Sequence, residues 1–343
     1  MANIFARSPY LIRIAETGQN GSKVELFLSA TTFSGSPQYT LSKLIPASNN
    51  IETLYDISPY IREYIRFASC SAGGNAAVTN PTTERVNVRV KRYKLVASSY
   101  ALLDTTDYIA FDGSTYYESG YNFDLGNYGL DAGNYYYNPT SDAGKIRVTT
   151  GASFTARYTN LSTAVVTTLA VASSTFDIPR VRTANVNEGN KVEILNGASA
   201  VQATWYFYPL EECKYTPVII DFVNKYGAWQ REFFFKASND TLSVENTEYN
   251  LLQTDSFNYN TLEGQRKVFN ANGKKSIKVN TGWVYETWKE VLKQIMLSER
   301  ILIDNKPAKI NTKSTELFKS INTKQINYSL DFEFAYDVIN SVI

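Results

Sequence analysis

Glu211 and Glu212 form the one adjacent pair of glutamates in this chain. Two carboxylates can carry glycoside hydrolysis without histidine, one as acid and the other as base or nucleophile. Neighbours on a strand point to opposite faces, so this pair reads as a solvated edge. A hydrolytic pair drawn from residues distant in sequence stays open at this level. Histidine is absent from all 343 residues. Its absence removes the commonest general acid/base, the commonest metal ligand and every Ser-His-Asp or Cys-His arrangement. Cys70 and Cys213 are the only cysteines. Neither has a CxxC partner, and two are too few for a cysteine-only zinc site or a disulfide framework, so inert thiols in a reducing compartment are expected.

Phosphate and calcium chemistry fare no better. No GxxxxGK[ST] loop occurs, and the stretch from Gly120 to Gly133 contains no lysine. Asp131-Ala132-Gly133-Asn134 lacks the alternating oxygen ligands of an EF-hand loop. Asn160-Leu161-Ser162 and Asn239-Asp240-Thr241 match the glycosylation pattern by chance, since nothing in the sequence directs the chain to a secretory pathway. The expectation is a non-enzymatic chain with no catalytic residue, no cofactor and no metal.

What remains is recognition. Between residues 108 and 137 runs a tract of tyrosines set among Gly, Asn and Asp, and its candidates are Tyr116, Tyr117, Tyr121, Tyr128, Tyr135, Tyr136 and Tyr137. Tyrosine offers a flat apolar face and a polar tip, which suits subunit interfaces and sugar stacking alike. Three readings stand: aromatics packed on a sheet, a subunit interface, and a carbohydrate or receptor contact.

The elements that must position such residues are mostly strands. The composition is 43% hydrophobic and 20% charged, enough apolar material for two or three cored domains. The 25 tyrosines and 18 phenylalanines tilt it toward sheet. Lys+Arg 34 against Asp+Glu 33 gives no basic excess for gripping nucleic-acid phosphates. The most basic stretch, Arg89 to Lys94, alternates as a solvated strand face. Met1 to Pro9 lacks a basic segment followed by an apolar one, and no apolar run approaches about 18 residues, so a soluble chain made in a cytoplasm is expected, with no membrane partner.

Tyr10–Ile14 and Lys23–Leu28, joined by a Gln19–Ser22 turn, predict a hairpin, followed by strands at 39–44 and 53–57. Ser58-Pro59 predicts a helix start with Ser58 as cap, and Tyr60, Ile61, Tyr64 and Ile65 mark its face. Residues 68–84 are small and polar, a loop, and Val86, Val88 and Val90 then alternate as a half-buried strand. Asp112-Gly113 predicts a type I′ hairpin between 108–111 and 114–117. Strands follow at 146–148 and 164–166.

Residues 217–223, a 224–227 turn and 229–235 predict another hairpin, faintly like the one opening the chain, as an internal duplication would be. Val284, Trp288, Val291, Leu292 and Ile295 predict one long helix over 283–295 with Trp283 and Trp288 on its core side. Strands at 300–303 and 308–310 flank a 304–307 turn. Ile326, Tyr328, Leu330, Phe332, Phe334 and Tyr336 alternate as a final long strand. The fold class is therefore mainly β. It has a β-sandwich-like domain over 1–100, a Tyr-rich β middle domain or insertion over 101–210, and a C-terminal β-rich domain with one helix over 211–343.

Several stretches carry a resemblance. Ser8-Pro9-Tyr10-Leu11-Ile12, Tyr55 through Ile65, Phe222 through Gln230, Lys278 through Val284 and Ile326 through Phe334 resemble virion structural proteins of crAss-like and related Bacteroidetes-infecting bacteriophages. The middle third carries none of it. The resemblance implies a repeated subunit of a tail or neck ring, a tail barrel or collar. It would close on copies of itself, contact neighbouring ring, portal or tail-tip proteins, and let phage DNA pass without specific binding. Twelve-fold symmetry is among those the resemblance offers. The alternative is a tail fibre or adhesin module that binds surface glycans through the tyrosines.

Overall fold

The computed structural model describes residues 2–45, 52–67, 84–114, 120, 135–148, 154–171, 177–252, 262, 264–315 and 325–338. The fold is mainly β, as expected, with one C-terminal helix. The chain forms two compact units: Met1–Glu211 with Phe222–Glu232, and Glu212–Asp221 with Phe233–Ile343.

The first unit opens with β1 (Ala2–Phe5), β2 (Leu11–Ala15), β3 (Gly21–Ser29), β4 (Tyr39–Leu44), β5 (Glu52–Asp56), helix α1 (Ser58–Tyr64), β6 (Arg85–Val96) and β7 (Ser99–Phe111). Five of these strands make a sheet in the order β1-β7-β6-β3-β4. Period-two alternation does the work: Val24, Leu26 and Leu28 of β3 and Val86, Val88 and Val90 of β6 are all at most 2% exposed. They join Ile12, Ile14, Ile57 and Ile61 in one core.

Two local expectations fail here. β2 does not fold back on β3. It pairs with β5 in a two-stranded sheet of its own, Ile12 opposite Tyr55, so Ile12 and Ile14 face the core from a second layer. Without that opening hairpin, the likeness to the 217–235 hairpin loses its basis. Ser58 is not the helix cap either. Its N–H and hydroxyl both donate to Asp56 Oδ1, at 3.1 and 2.6 Å, which places Ser58 inside the first turn.

The same unit continues with β8 (Tyr135–Tyr137), β9 (Lys145–Arg147), β10 (Phe154–Asn160), β11 (Val166–Val171), β12 (Asp177–Pro179), β13 (Asn190–Leu195) and β14 (Val201–Pro209). A second five-stranded sheet runs β11-β10-β13-β14-β8, and β9 pairs with β12. The strand expected at 164–166 begins only at Val166, because Ala164 takes a positive φ of 57° in the preceding turn. The type I′ turn expected at Asp112-Gly113 does not form. Gly113 lacks a positive φ, Ser114 is not in a strand, and its N–H donates to the Lys225 carbonyl at 2.8 Å. Residues 115–117, the other half of that hairpin, lie outside the described residues.

β15 (Val218–Val223) and β16 (Trp229–Phe234) form the expected hairpin around Gly227, whose φ is +76°. Its tip, Phe222–Glu232, belongs to the first unit.

The second unit adds β17 (Asn239–Asn250), β18 (Arg266–Tyr285), α2 (Lys289–Met296), β19 (Ile301–Ile303), β20 (Lys306–Ile310) and β21 (Gln325–Asp337). The sheet order is β16-β15-β19-β20-β21-β18-β17. Asp304 and Asn305, at φ 46° and 64°, make the two-residue turn between β19 and β20. Pro307 therefore falls inside a strand instead of in the turn. In β21 the alternation is kept: Tyr328, Leu330 and Phe332 are at most 3% exposed. The helix is shorter than its stripe. Trp283 to Tyr285 stay in β18, and Glu286–Trp288 is a single 3-10 turn before α2. Trp288 packs edge-on to Phe234 and stacks on Tyr328, with ring centres at 5.9 and 6.0 Å. Trp283 is 66% exposed, so the expected core position is corrected to a surface one.

Candidate assembly interface

Tyr116, Tyr117, Tyr121 and Tyr128 lie outside the described residues. Tyr135 and Tyr137 point inward from β8 and are 1% and 2% exposed, and Tyr136 is half-buried. Tyr135 stacks on Phe207 at 5.6 Å, beneath the Arg180 guanidinium at 4.6 Å. Tyr137 donates its hydroxyl to the Val186 carbonyl at 2.6 Å, and burial pushes its phenol up from the ordinary tyrosine range. These two are core residues of the first unit and offer no ring to a partner or a sugar.

Around them lies a buried ionic network that sequence reasoning missed. Arg147 of β9 donates to Glu84 at 2.9 Å and to Asp177 at 2.5 Å. The two carboxylates hold the guanidinium above its ordinary pKa although burial opposes its charge. The Trp229 indole N–H also reaches Glu84, at 3.3 Å. Arg180 donates to the Arg231 carbonyl and sits 3.7 Å from Glu232, while Gln230 bridges Tyr135 and Glu232 at 3.3 and 2.9 Å. Arg85 is pushed down to about 10 by burial and by neighbouring Arg147. Acids and bases are spent on one another here, which locks the hairpin tip into the first unit. Each residue reads as an ordinary strand-flanking charge in sequence, and only pairing across 30 to 145 positions reveals the network.

The two arginines of the basic stretch in β6 are likewise paired with acids. Arg89 grips Asp107 through two bonds of 2.7 and 2.9 Å, and Arg92 grips Asp104 in the same way. Lys91 lies 4.7 Å from the centre of the Phe27 ring. Glu212 accepts from Lys236 at 2.6 Å, and that bond holds its carboxyl below the usual range. Among the described residues no group of three or more metal-ligating side chains converges, and no helix is long and apolar enough to cross a membrane.

The surface that stands out is the ribbon of β17 and β18. All twelve residues of β17 are exposed, on both faces. It ends the seven-stranded sheet, so its outer N–H and C=O groups form an open edge about 40 Å long. β21 joins β18 only from Lys274 onward, with the Val338 N–H reaching the Gly273 carbonyl at 2.7 Å. Arg266–Asn272 therefore pair with β17 alone among the described strands. A two-stranded ribbon is marginal in water by itself. This one also carries exposed Leu242, Val244, Tyr249, Val268 and Phe269, from 47% to 61% accessible. Cross-strand pairs Lys274–Glu245 and Lys275–Asp240, at 3.0 and 2.7 Å, hold its register without covering it. The signal in sequence was present but unread: β17 and early β18 alternate weakly and carry apolar residues on both faces.

Fold and surface together define a β-rich protein of two units, the second carrying an exposed two-stranded ribbon. Comparison with known proteins adds no family: no family model matches the chain, and no curated protein matches it.

Proposed function

We propose that this protein is a repeated structural subunit that assembles with copies of itself through the β17–β18 arm. The observation that carries the reading is the uncovered arm, twelve exposed residues along an open strand edge. β17 has no proline and no described strand pairs with its outer side, and a long edge left unpaired is a template for another chain. A head-to-tail contact of one arm with a different surface of the next copy generates a closed ring when the rotation closes. The stretches resembling crAss-like phage virion proteins support placing such a ring in a bacteriophage tail or neck, as a barrel or collar layer. In that role the protein is structural and not catalytic. It meets adjacent ring, portal or tail-tip proteins, and it resides in the virion.

The test is the native mass of the purified protein, with negative-stain images of the same peak. A single large oligomer with ring-shaped views is expected. Leu242→Asp with Val244→Asp should leave monomers with an unchanged circular dichroism spectrum. A parent protein that stays monomeric at all concentrations would sink the self-assembly reading.

A further inference from the structure

Resting on the assembly reading, we infer that the arm's partner is the open edge of β11 on a second copy, with β17 adding to that sheet as a sixth strand. β11 reads Val166-Thr167-Thr168-Leu169-Ala170-Val171, six residues with no charge, no proline and no bulge in its pairing with β10. It is the outermost strand of its sheet. This is the composition that edge strands normally avoid, because nothing on it repels an incoming strand.

The inner row of that sheet also stops short of cover. Tyr158, Ala156 and Phe154 on β10 are buried, and opposite them stand Thr167, Leu169 and Val171. Thr167 and Leu169 are still half-exposed. Leu242 and Val244 of β17, spaced by two, match that row. Antiparallel addition sets Leu242 beside Val171 and Val244 beside Leu169, and Ser243 then faces Ala170 on the solvent side.

Charge favours this pairing over β17 with itself or with β4. Two β17 strands side by side would bring six carboxylates to one seam, Asp240, Glu245 and Glu248 from each copy, with no base on either strand. β11 adds none, and Lys275 and Lys274 on β18 already answer Asp240 and Glu245. Another exposed edge, β4, carries Lys43, the kind of residue that guards an edge, and its ammonium is engaged with the Leu54 carbonyl.

Disulfide trapping in the full chain decides it, on a background with Cys70 and Cys213 replaced by serine. Chains carrying both Ser243→Cys and Ala170→Cys should oxidise to a ladder of covalent oligomers. A mixture of the two single variants should stop at dimers. Thr168→Lys, which places a charge on the acceptor edge, should abolish assembly without lowering the melting temperature. Dimers formed by Ser243→Cys alone would mean that β17 pairs with itself, and would overturn the inference. Assembly without any 243–170 cross-link, undisturbed by Thr168→Lys, would overturn it and leave the assembly reading standing. No assembly at all would remove both.

Discussion

Gly227 meets the backbone of Asp112: a Cβ built on it would lie 2.6 Å from the Asp112 carbonyl carbon and 2.8 Å from its nitrogen. The approach is mutual, since a Cβ on Gly113 would lie 2.8 Å from the Tyr226 carbonyl carbon and 2.5 Å from the Phe5 ring. Gly227 also holds φ at +76°, which costs an L-residue about 1–2 kcal/mol. Gly227→Val combines that strain with a backbone clash, and overpacking alone typically costs about 1–3 kcal/mol. A loss of about 3 kcal/mol is expected in urea unfolding. Gly264→Ala, at φ +67° with its Cβ no nearer than 3.9 Å to the Arg266 carbonyl oxygen, should cost only the backbone part.

Arg147 is 4% exposed at its side chain and answers two buried acids, Glu84 and Asp177. Arg147→Met removes the base and leaves both carboxylates buried. Breaking a buried pair in this way costs about 3–5 kcal/mol. Denaturant unfolding at neutral pH should show that loss, while Lys309→Met, whose surface pair with Glu333 is 63% exposed on the lysine side, should change stability by under about 1 kcal/mol.

Asp107 is held below the usual carboxylate range by its hydrogen bonds from Arg89. A depressed folded-state pKa adds stability that is present above the unfolded value near 3.8 and fades as pH falls through the lower folded value. Asp107→Asn should therefore lower the melting temperature at pH 7, by an amount worth about 1 kcal/mol or less for a partly solvated pair. The difference from the parent should hold above about pH 4 and shrink as pH falls below it toward the lower folded value. Thermal melts from pH 7 to pH 3 check it, and a gap as large at pH 3 as at pH 7 would rule out the ionic cause.

Trp288 and Trp283, expected on one helical face, behave as opposites. Trp288→Ala removes a ring packed between Phe234 and Tyr328, and such truncations cost about 3–5 kcal/mol. Trp283→Ala, at a 66% exposed position, should stay within about 0.5 kcal/mol in dilute solution. Quenching of tryptophan fluorescence in the parent should show a highly accessible component that disappears in Trp283→Ala.

The sequence by itself determined what depends on neighbours along the chain. The β21 alternation, the Gly227 hairpin, the Val86–Val90 strand and the mainly β class all follow from side-chain period and turn residues, which act over a few positions. Where two local signals competed, the long-range partner chose. β2 left β3 for β5, some forty residues on, because Ile12 and Ile14 gain a core from that layer. Asp112-Gly113 does not take its type I′ turn, and the 224–227 turn occupies the space beside it. The helical stripe lost its first turn to β18, whose pairing with β21 extends to Tyr285. The ionic network and the open edges of β11 and β17 belong wholly to this second class. A charge is buried or a strand is outermost only by virtue of what the rest of the chain places next to it, and no local pattern encodes that.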